Sequence, residues 1–230
     1  MSFVCFSKES LNFLERIRKN NTKEWFEAHR SEYEALILQP SREAATEIGE
    51  HLQALEPTVN AIPKINGSLF RIYRDIRFSK DKTPIKSRIG LIFWQGSGKR
   101  MQSSSFYLHF SPDELFVAVG IRGFSSETLV IYREYIKNRE HCKNLHVILE
   151  DMKSKGFLLP EPKYKRLPRG FEKNMEFEEL AKFASMFTYK TFSAKAIHSK
   201  ELIHTLYETY EAMFPLQQWV YEMTLHNQDL

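Results

Sequence analysis

The sequence has little cysteine, and its two cysteines, Cys5 and Cys142, are far apart along the chain and form no CxxC pair. The eight histidines include no HExxH motif and no metal-ligand spacing with the cysteines. These absences argue against a disulfide framework and against a zinc site. We therefore predict two free thiols, no metal and no cofactor.

Long hydrophobic runs are also missing. No apolar stretch approaches the roughly 20 residues that a membrane-spanning helix needs. The first residues, MSFVCFSKESLNF, contain no basic region followed by an apolar run, which is the pattern of a secretory signal. Together with the unpaired cysteines, these absences predict a cytoplasmic protein with no membrane partner.

The common nucleotide-binding and nucleophile motifs do not occur. There is no GxSxG and no GxGxxG in the sequence. Residues 96–100 (GSGKR) lack the spacing of a phosphate-binding P-loop, so we predict that they form a mobile hairpin loop. The motifs therefore assign no class of enzyme.

The composition is that of a folded globular protein. The chain of 230 residues is 42% hydrophobic and 27% charged, which supplies a core and argues against disorder. We predict a single domain over residues 1–230. The formal net charge of +4 is only weak evidence for a nucleic-acid partner.

The order of the hydrophobic patterns predicts an α+β fold, because helices precede and follow a block of strands. Helical spacing of apolar residues after Ser7, Thr22 and Pro40 predicts three N-terminal helices. Short links between apolar runs predict an antiparallel meander of at least three strands. These runs lie at 88–94, 106–110 and 115–121. Later helical patterns lie at 125–138, 142–155, 177–187, 200–213 and after Pro215.

The most unusual stretch is Ser68–Lys86 (SLFRIYRDIRFSKDKTPIK), which we call the basic segment. Apolar residues alternate with charges throughout it, so it resembles neither a solvated charge run nor a core strand. Its charged residues are Arg71, Arg74, Asp75, Arg77, Lys80, Asp81, Lys82 and Lys86. If the segment is a strand, Arg74 lies on an apolar face. If it is a helix, arginines surround an apolar stripe. The hydrophobic pattern does not decide between a strand and a helix. Either way, we expect Arg74 to be largely buried and paired with Asp75 or Asp81.

Two roles fit the composition of the basic segment equally well, a binding site for an anion and an internal network of ion pairs. Guanidinium and ammonium groups close to one turn can hold a phosphate or carboxylate, and arginine can do so with two parallel hydrogen bonds. The same groups can instead form an internal ion-pair network. We favour a site for a small anionic ligand, with a surface for nucleic acid or an acidic protein as the alternative.

Further candidate residues lie on the second predicted strand. Tyr107 and His109 alternate onto one face, where they could act as proton donor and general base. A single strand histidine is more often structural, and we favour that interpretation. We nevertheless expect Arg71, Arg77, Lys80 and Lys82 to lie next to these two residues. A second basic run, residues 163–173, is expected to be a solvated loop held by Tyr164 and Phe171.

Several motifs resemble an uncharacterised family, the domain of unknown function numbered 2461. These motifs are FRIYRDIRFSKDKTPIK at 70–86, NNTKEWFEAHR at 20–30, YLH at 107–109, KRLPRGF at 165–171, and Pro215, Leu216 and Trp219. The resemblance extends over nearly the whole chain and implies no activity. In this family the third strand usually ends in a run of glycines, whereas residues 117–121 are VAVGI here. If those glycines allow a ligand to approach the backbone of the strand, the space for that approach is narrowed or lost in the present chain.

Overall fold

The computed structural model describes residues 3–173 and 176–226. It contains a five-stranded antiparallel sheet with the strand order β1-β2-β3-β4-β5, and helices lie at both its N-terminal and its C-terminal sides. The strand order follows the chain order, which is the arrangement of a meander. The predicted α+β class and the predicted meander are therefore confirmed.

The strands are β1 (Val59–Asn60), β2 (Ile89–Gln95), β3 (Ser105–Phe110), β4 (Glu114–Ile121) and β5 (Met186–Ser193). The α-helices are α1 (Lys8–Lys19), α2 (Lys23–Ala28), α3 (Arg30–Tyr33), α4 (Gln39–Leu55), α5 (Ser126–Lys137), α6 (Arg139–Ser154) and α7 (Leu202–Leu225). A π-helical turn spans Glu34–Leu38, and 3-10 turns span Glu178–Lys182 and Ala194–His198.

Short polar side chains begin several of the helices. The Thr22 hydroxyl accepts the backbone N–H of Trp25 at the start of α2, at 3.1 Å. The Ser125 hydroxyl accepts the N–H of Thr128 at the start of α5, also at 3.1 Å. Each cap satisfies a backbone donor that the first turn of a helix leaves without a partner. Pro40 lies at the start of α4, which continues directly from the π-helical turn at Glu34–Leu38.

The region after residue 177 differs from its predicted structure. The predicted helix at 177–187 is only a 3-10 turn, and the chain then enters β5. The sequence of β5, MFTYKTFS, is rich in aromatic and β-branched residues and alternates in burial at its start, as a strand with one buried face does. The backbone of Leu158 pairs with that of Tyr189 at 2.9 and 3.0 Å, a long-range contact that local helical spacing could not reveal.

The last helix is also longer than expected. The two predicted helices at 200–213 and after Pro215 form the single helix α7, which contains Pro215. A proline inside a helix removes one N–H donor and its ring crowds the carbonyl four residues earlier, so it tends to kink or break the helix. The fully buried residues Met213 and Leu216, on either side of it, supply packing that keeps the helix continuous.

The chain divides into two compact units, each made of several stretches. The first unit contains Met1–Phe93, Tyr107–Val117 and Thr191–Thr209, and the second contains Trp94–Phe106, Ala118–Lys190 and Tyr210–Leu230. In the first, the rings of Phe6 and Phe110 lie 4.4 Å apart in the core. In the second, the buried Gln217 side chain donates to the Gln95 side-chain oxygen at 2.8 Å.

The described residues contain neither a membrane-spanning helix nor a group of metal-binding side chains. Among residues 3–173 and 176–226, no helix combines the length and the apolar character needed to cross a membrane. The same residues contain no group of three or more His, Cys, Asp or Glu side chains arranged to hold a metal ion.

Both cysteines are free, and Cys142 is buried whereas Cys5 is half-buried. Burial raises the pKa of the Cys142 thiol, and the nearby Glu176 carboxylate raises it further. We expect titration with a thiol reagent, without reductant, to find two thiols in the denatured protein and one slow thiol in the folded protein. Cys142→Ser should remove the slow phase and Cys5→Ser the fast one. Finding no thiols, or two that react equally fast in the folded state, would contradict this assignment.

Candidate functional site

The basic segment is neither a regular strand nor a helix. It turns back on itself, and Tyr73 pairs with Ile85 through an isolated antiparallel bridge. The Arg74 N–H donates to the Pro84 carbonyl at 2.8 Å, and the Lys86 N–H donates to the Ile72 carbonyl at 2.9 Å. The segment is therefore a closed, hydrogen-bonded loop, which explains why neither regular period fits its sequence.

The loop is attached at its base through apolar side chains and one amide. Leu69, Ile72 and Ile85 are each at most 5% exposed. The Asn21 side chain donates to the Ile85 carbonyl at 2.8 Å and accepts the Ile85 N–H at 2.9 Å. The NNTKEWFEAHR motif is thus joined directly to the basic segment. Because a buried backbone donor and acceptor both depend on it, Asn21 fixes where the loop leaves the core.

Arg74 holds the inside of the loop together. Its guanidinium donates to the Asp81 carboxylate and to the Thr83 hydroxyl. The predicted pairing with Asp81 is confirmed, but the side chain is 25% exposed and that of Asp81 is 58% exposed. The expectation of a largely buried arginine is therefore only partly met, because the pair lies near the surface of the loop.

Arg77 is paired in a different way. Its Nε and Nη2 donate to the two oxygens of Asp75 at 3.0 and 2.7 Å, while its side chain remains 76% exposed. The Arg77 side chain and then its backbone N–H lower the pKa of Asp75 to about 2. For Asp81, the Thr83 backbone N–H is the largest cause and Arg74 the next, and its pKa is also about 2. Both carboxylates are consequently ionised at neutral pH.

The remaining cations are of two kinds. The Lys82 ammonium donates to the Ile76 carbonyl at 3.0 Å, and the Lys86 ammonium donates to the Arg71 carbonyl at 2.7 Å. The side chains of Arg71 and Lys80 are exposed. In the described part of the chain, neither has a carboxylate within 4.0 Å of its nitrogens. These two charges are therefore the ones most available to an incoming anion.

The basic segment is one of two stretches with an excess of four positive charges, the other being residues 163–173, with five basic residues and one acidic residue. Of the 33 basic and 29 acidic residues in the chain, six basic and two acidic residues lie in the basic segment. The rest of the chain therefore carries 27 of each sign. Such an imbalance in one loop creates a local positive potential.

Tyr107 and His109 share a face of β3, as the alternation predicted, with ring centroids 5.7 Å apart. The ring of Phe70, at the base of the basic segment, meets Tyr107 edge-on at 6.0 Å. His109 is 6% exposed, stacks on Phe116 at 4.9 Å and has its Nε2 3.2 Å from Glu114. This enclosed position supports a structural role for His109 rather than a catalytic one.

Sequence reasoning did not identify a second charged group beside the loop. Arg30 donates to both oxygens of Glu27 at 2.9 Å, and the Tyr73 hydroxyl also donates to Glu27. Arg30, followed by Tyr73, lowers the pKa of Glu27 to about 2. The spacing of three between Glu27 and Arg30 on a helical pattern could have indicated the first contact. The contact with Tyr73, 46 residues later, could not be read from the sequence.

The second basic run is held by an aromatic ring. The Arg133 guanidinium lies 5.1 Å and the Lys163 ammonium 5.8 Å from the centre of the Tyr164 ring. The Tyr164 N–H donates to the Lys182 carbonyl at 3.0 Å. These contacts are those of a loop held in place by its aromatic residue, as we expected for this run.

Gly120, the glycine of β4, allows β4 and β5 to pack closely against each other. Gly120 has φ +110°, and a Cβ placed there would lie 2.2 Å from the Met186 carbonyl oxygen. Any larger residue would push β5 away from β4. At this position, close approach of another strand accounts for the glycine.

A family model described as "Conserved hypothetical protein (DUF2461)" matches residues 9–219. The match covers most of the chain, so the protein belongs to this family, as the motifs indicated. No curated protein matches the chain, and no solved structure does either.

Removing the Asn21 amide should weaken the attachment of the loop. We expect Asn21→Ala to lower the free energy of unfolding by about 1–3 kcal/mol, because the buried backbone of Ile85 loses two partners. Urea denaturation measures this change. Asn20→Ala is the matched control, since its side chain makes an exposed bond to the Arg16 carbonyl. Equal midpoints for the two variants would contradict the role given to Asn21.

Arg74→Ala should lower the free energy of unfolding by less than the loss of a fully buried, paired arginine would. For a buried arginine the sequence predicted a loss of about 3–5 kcal/mol. Because the pair is partly exposed, we now expect about 1 kcal/mol in urea denaturation. In the same variant, NMR titration should show the pKa of Asp81 rising only part of the way to its ordinary value, since the Thr83 N–H remains. A loss of 3 kcal/mol or more, or a fully restored pKa, would refute this account.

Proposed function

We propose that this protein binds an anionic, phosphate- or carboxylate-bearing ligand through the basic segment. The observation that carries the proposal is a group of exposed cations, Arg71, Arg77 and Lys80, in a loop whose backbone is fixed by its own hydrogen bonds. The excess of four positive charges in this loop creates a local positive potential that attracts anions.

The arrangement of the cations supports this function. Asp75 orients the Arg77 guanidinium through two of its nitrogens, while most of that side chain stays exposed. Arg71 and Lys80 are exposed and add cations with no carboxylate partner within 4.0 Å in the described residues. A ligand oxygen could therefore meet charges already held in place, which lowers the entropy cost of binding.

The hydrogen bonds inside the loop indicate which of its cations are left to contact a ligand. Arg74 is engaged with Asp81, and the ammonium groups of Lys82 and Lys86 are engaged with backbone carbonyls. We propose that these three residues mainly maintain the shape of the loop. Arg71, Arg77 and Lys80 then form the group that contacts the ligand.

The second candidate function is an interaction module that uses the same segment on a macromolecule. The observation in its favour is exposure, since Arg77 is 76% and Phe78 is 96% exposed. An exposed loop can reach the surface of a large partner, whereas a small ligand gains most inside a concave site. For location, we propose the cytoplasm, which the two free thiols support.

A thermal-shift screen tests anion binding. We expect phosphate, pyrophosphate, nucleotides or sugar phosphates to raise the melting temperature, because a ligand that binds only the folded state stabilises it. Arg77→Ala and Lys80→Ala should each reduce the shift, and added salt should reduce it as well. Lys82→Ala should reduce it too, partly because the loop loses its bond to Ile76.

The matched control is Lys143→Ala, which removes an exposed lysine from α6. It should respond to anions like the unchanged protein. If no anion shifts the unchanged protein, or if all four variants respond equally, the charged cluster is structural and the interaction module becomes the favoured function.

A further inference from the structure

Phe78 is the most exposed large apolar side chain in the described residues. It is 96% exposed, whereas the next, Val130, is 58% exposed. It lies in the middle of the basic segment, between Arg77 and Ser79. Burying a phenylalanine ring is favourable, so a ring left in water inside a candidate binding loop is available for contact with a partner.

One cation lies beside this ring, and a second follows closely in the sequence. The Arg77 guanidinium carbon lies 5.8 Å from the centre of the Phe78 ring, and Asp75 fixes the direction of that guanidinium. Lys80 follows two residues later and has no ion pair in the described part of the chain. The ring is thus a flat apolar surface with a positive charge beside it.

Building on the proposed anion binding by the basic segment, we propose that its ligand is single-stranded nucleic acid. An unpaired base stacks on the exposed face of Phe78, and neighbouring phosphates contact Arg77, Lys80 and Arg71. An aromatic platform flanked by cations is the common way in which proteins hold single strands without reading their sequence. The ring and two of the cations occur together in four consecutive residues, 77–80.

Other partners fit the same loop less well. A protein interface needs an apolar core of several side chains, and the sequence neighbours of Phe78 are Arg77, Ser79 and Lys80. An anionic membrane would face Asp75 and Asp81, which stay ionised with pKa values of about 2. Double-stranded DNA keeps its bases stacked, so a protruding ring reaches a base face only after a base step has been unstacked at a cost in free energy. A flexible single strand can place one base on the ring and direct its phosphates away from the two carboxylates.

Fluorescence anisotropy with labelled oligonucleotides of twelve thymidines or twelve adenosines tests this proposal. We expect binding at 50 mM salt, and Phe78→Ala should weaken it by about 5- to 100-fold, the range for loss of one stacked base. Phe78→Trp should retain binding, because it keeps an aromatic face. If about three phosphates are contacted, the logarithm of affinity should fall with the logarithm of salt with a slope of about −2, and Lys80→Ala should reduce that slope by about 0.7.

Val147→Ala is the matched control, because it removes an exposed apolar side chain from α6. It should bind like the unchanged protein. If Phe78→Ala binds oligonucleotides as tightly as the unchanged protein, or if phosphatidylserine vesicles bind in a Phe78-dependent way and oligonucleotides do not, the proposal is wrong. If pyrophosphate raises the melting temperature through Arg77 but oligonucleotides do not bind, anion binding stands and only the choice of ligand is overturned.

Discussion

The point at which the basic segment leaves the core depends on a single side-chain amide. Asn21 satisfies both the N–H and the carbonyl of Ile85, at 2.9 and 2.8 Å, where the returning half of the loop enters the core. Hydrophobic contacts of Ile72 and Ile85 hold this point in place but have no direction of their own. The amide supplies the direction, so it determines how the charged part of the loop projects. An N-terminal motif and a motif some sixty residues later thereby form one structural unit.

A loop that carries six cations must also limit its own repulsion. Asp75 and Asp81 do this within the loop, and two backbone carbonyls accept the ammonium groups of Lys82 and Lys86. The pKa values of both carboxylates are lowered to about 2 in the folded state. Their stabilising effect is therefore fully present above the ordinary carboxyl pKa near 3.8 and disappears as the pH falls toward 2. Across the neutral range the loop keeps one charge state and one set of internal bonds.

Much of the fold could be predicted because its signals are local. The runs that became β2, β3 and β4 are apolar over nearly their whole length, and the capping residues Thr22 and Ser125 mark helix starts. β5 was missed because its partners are distant in sequence, and the unbroken α7 was missed because packing outweighs Pro215. For the basic segment, composition identified the charges and one of the two candidate partners of Arg74. It could not reveal the closed loop, because the bridge between Tyr73 and Ile85 and the contact of Tyr73 with Glu27 depend on the tertiary fold.

The backbone at the base of the basic segment is fixed by hydrogen bonds, whereas side chains at its tip are exposed. This difference affects the entropy cost of binding. Ordering a flexible loop on a partner costs conformational entropy for each residue that becomes fixed. Here the backbone around Arg74 and Lys86 is already hydrogen-bonded, and Arg77 is already oriented by Asp75. The groups that remain to be ordered are the side chains of Phe78, Lys80 and Arg71, which are exposed. Most of the entropy cost that the proposed binding would require at this loop is therefore met when the protein folds.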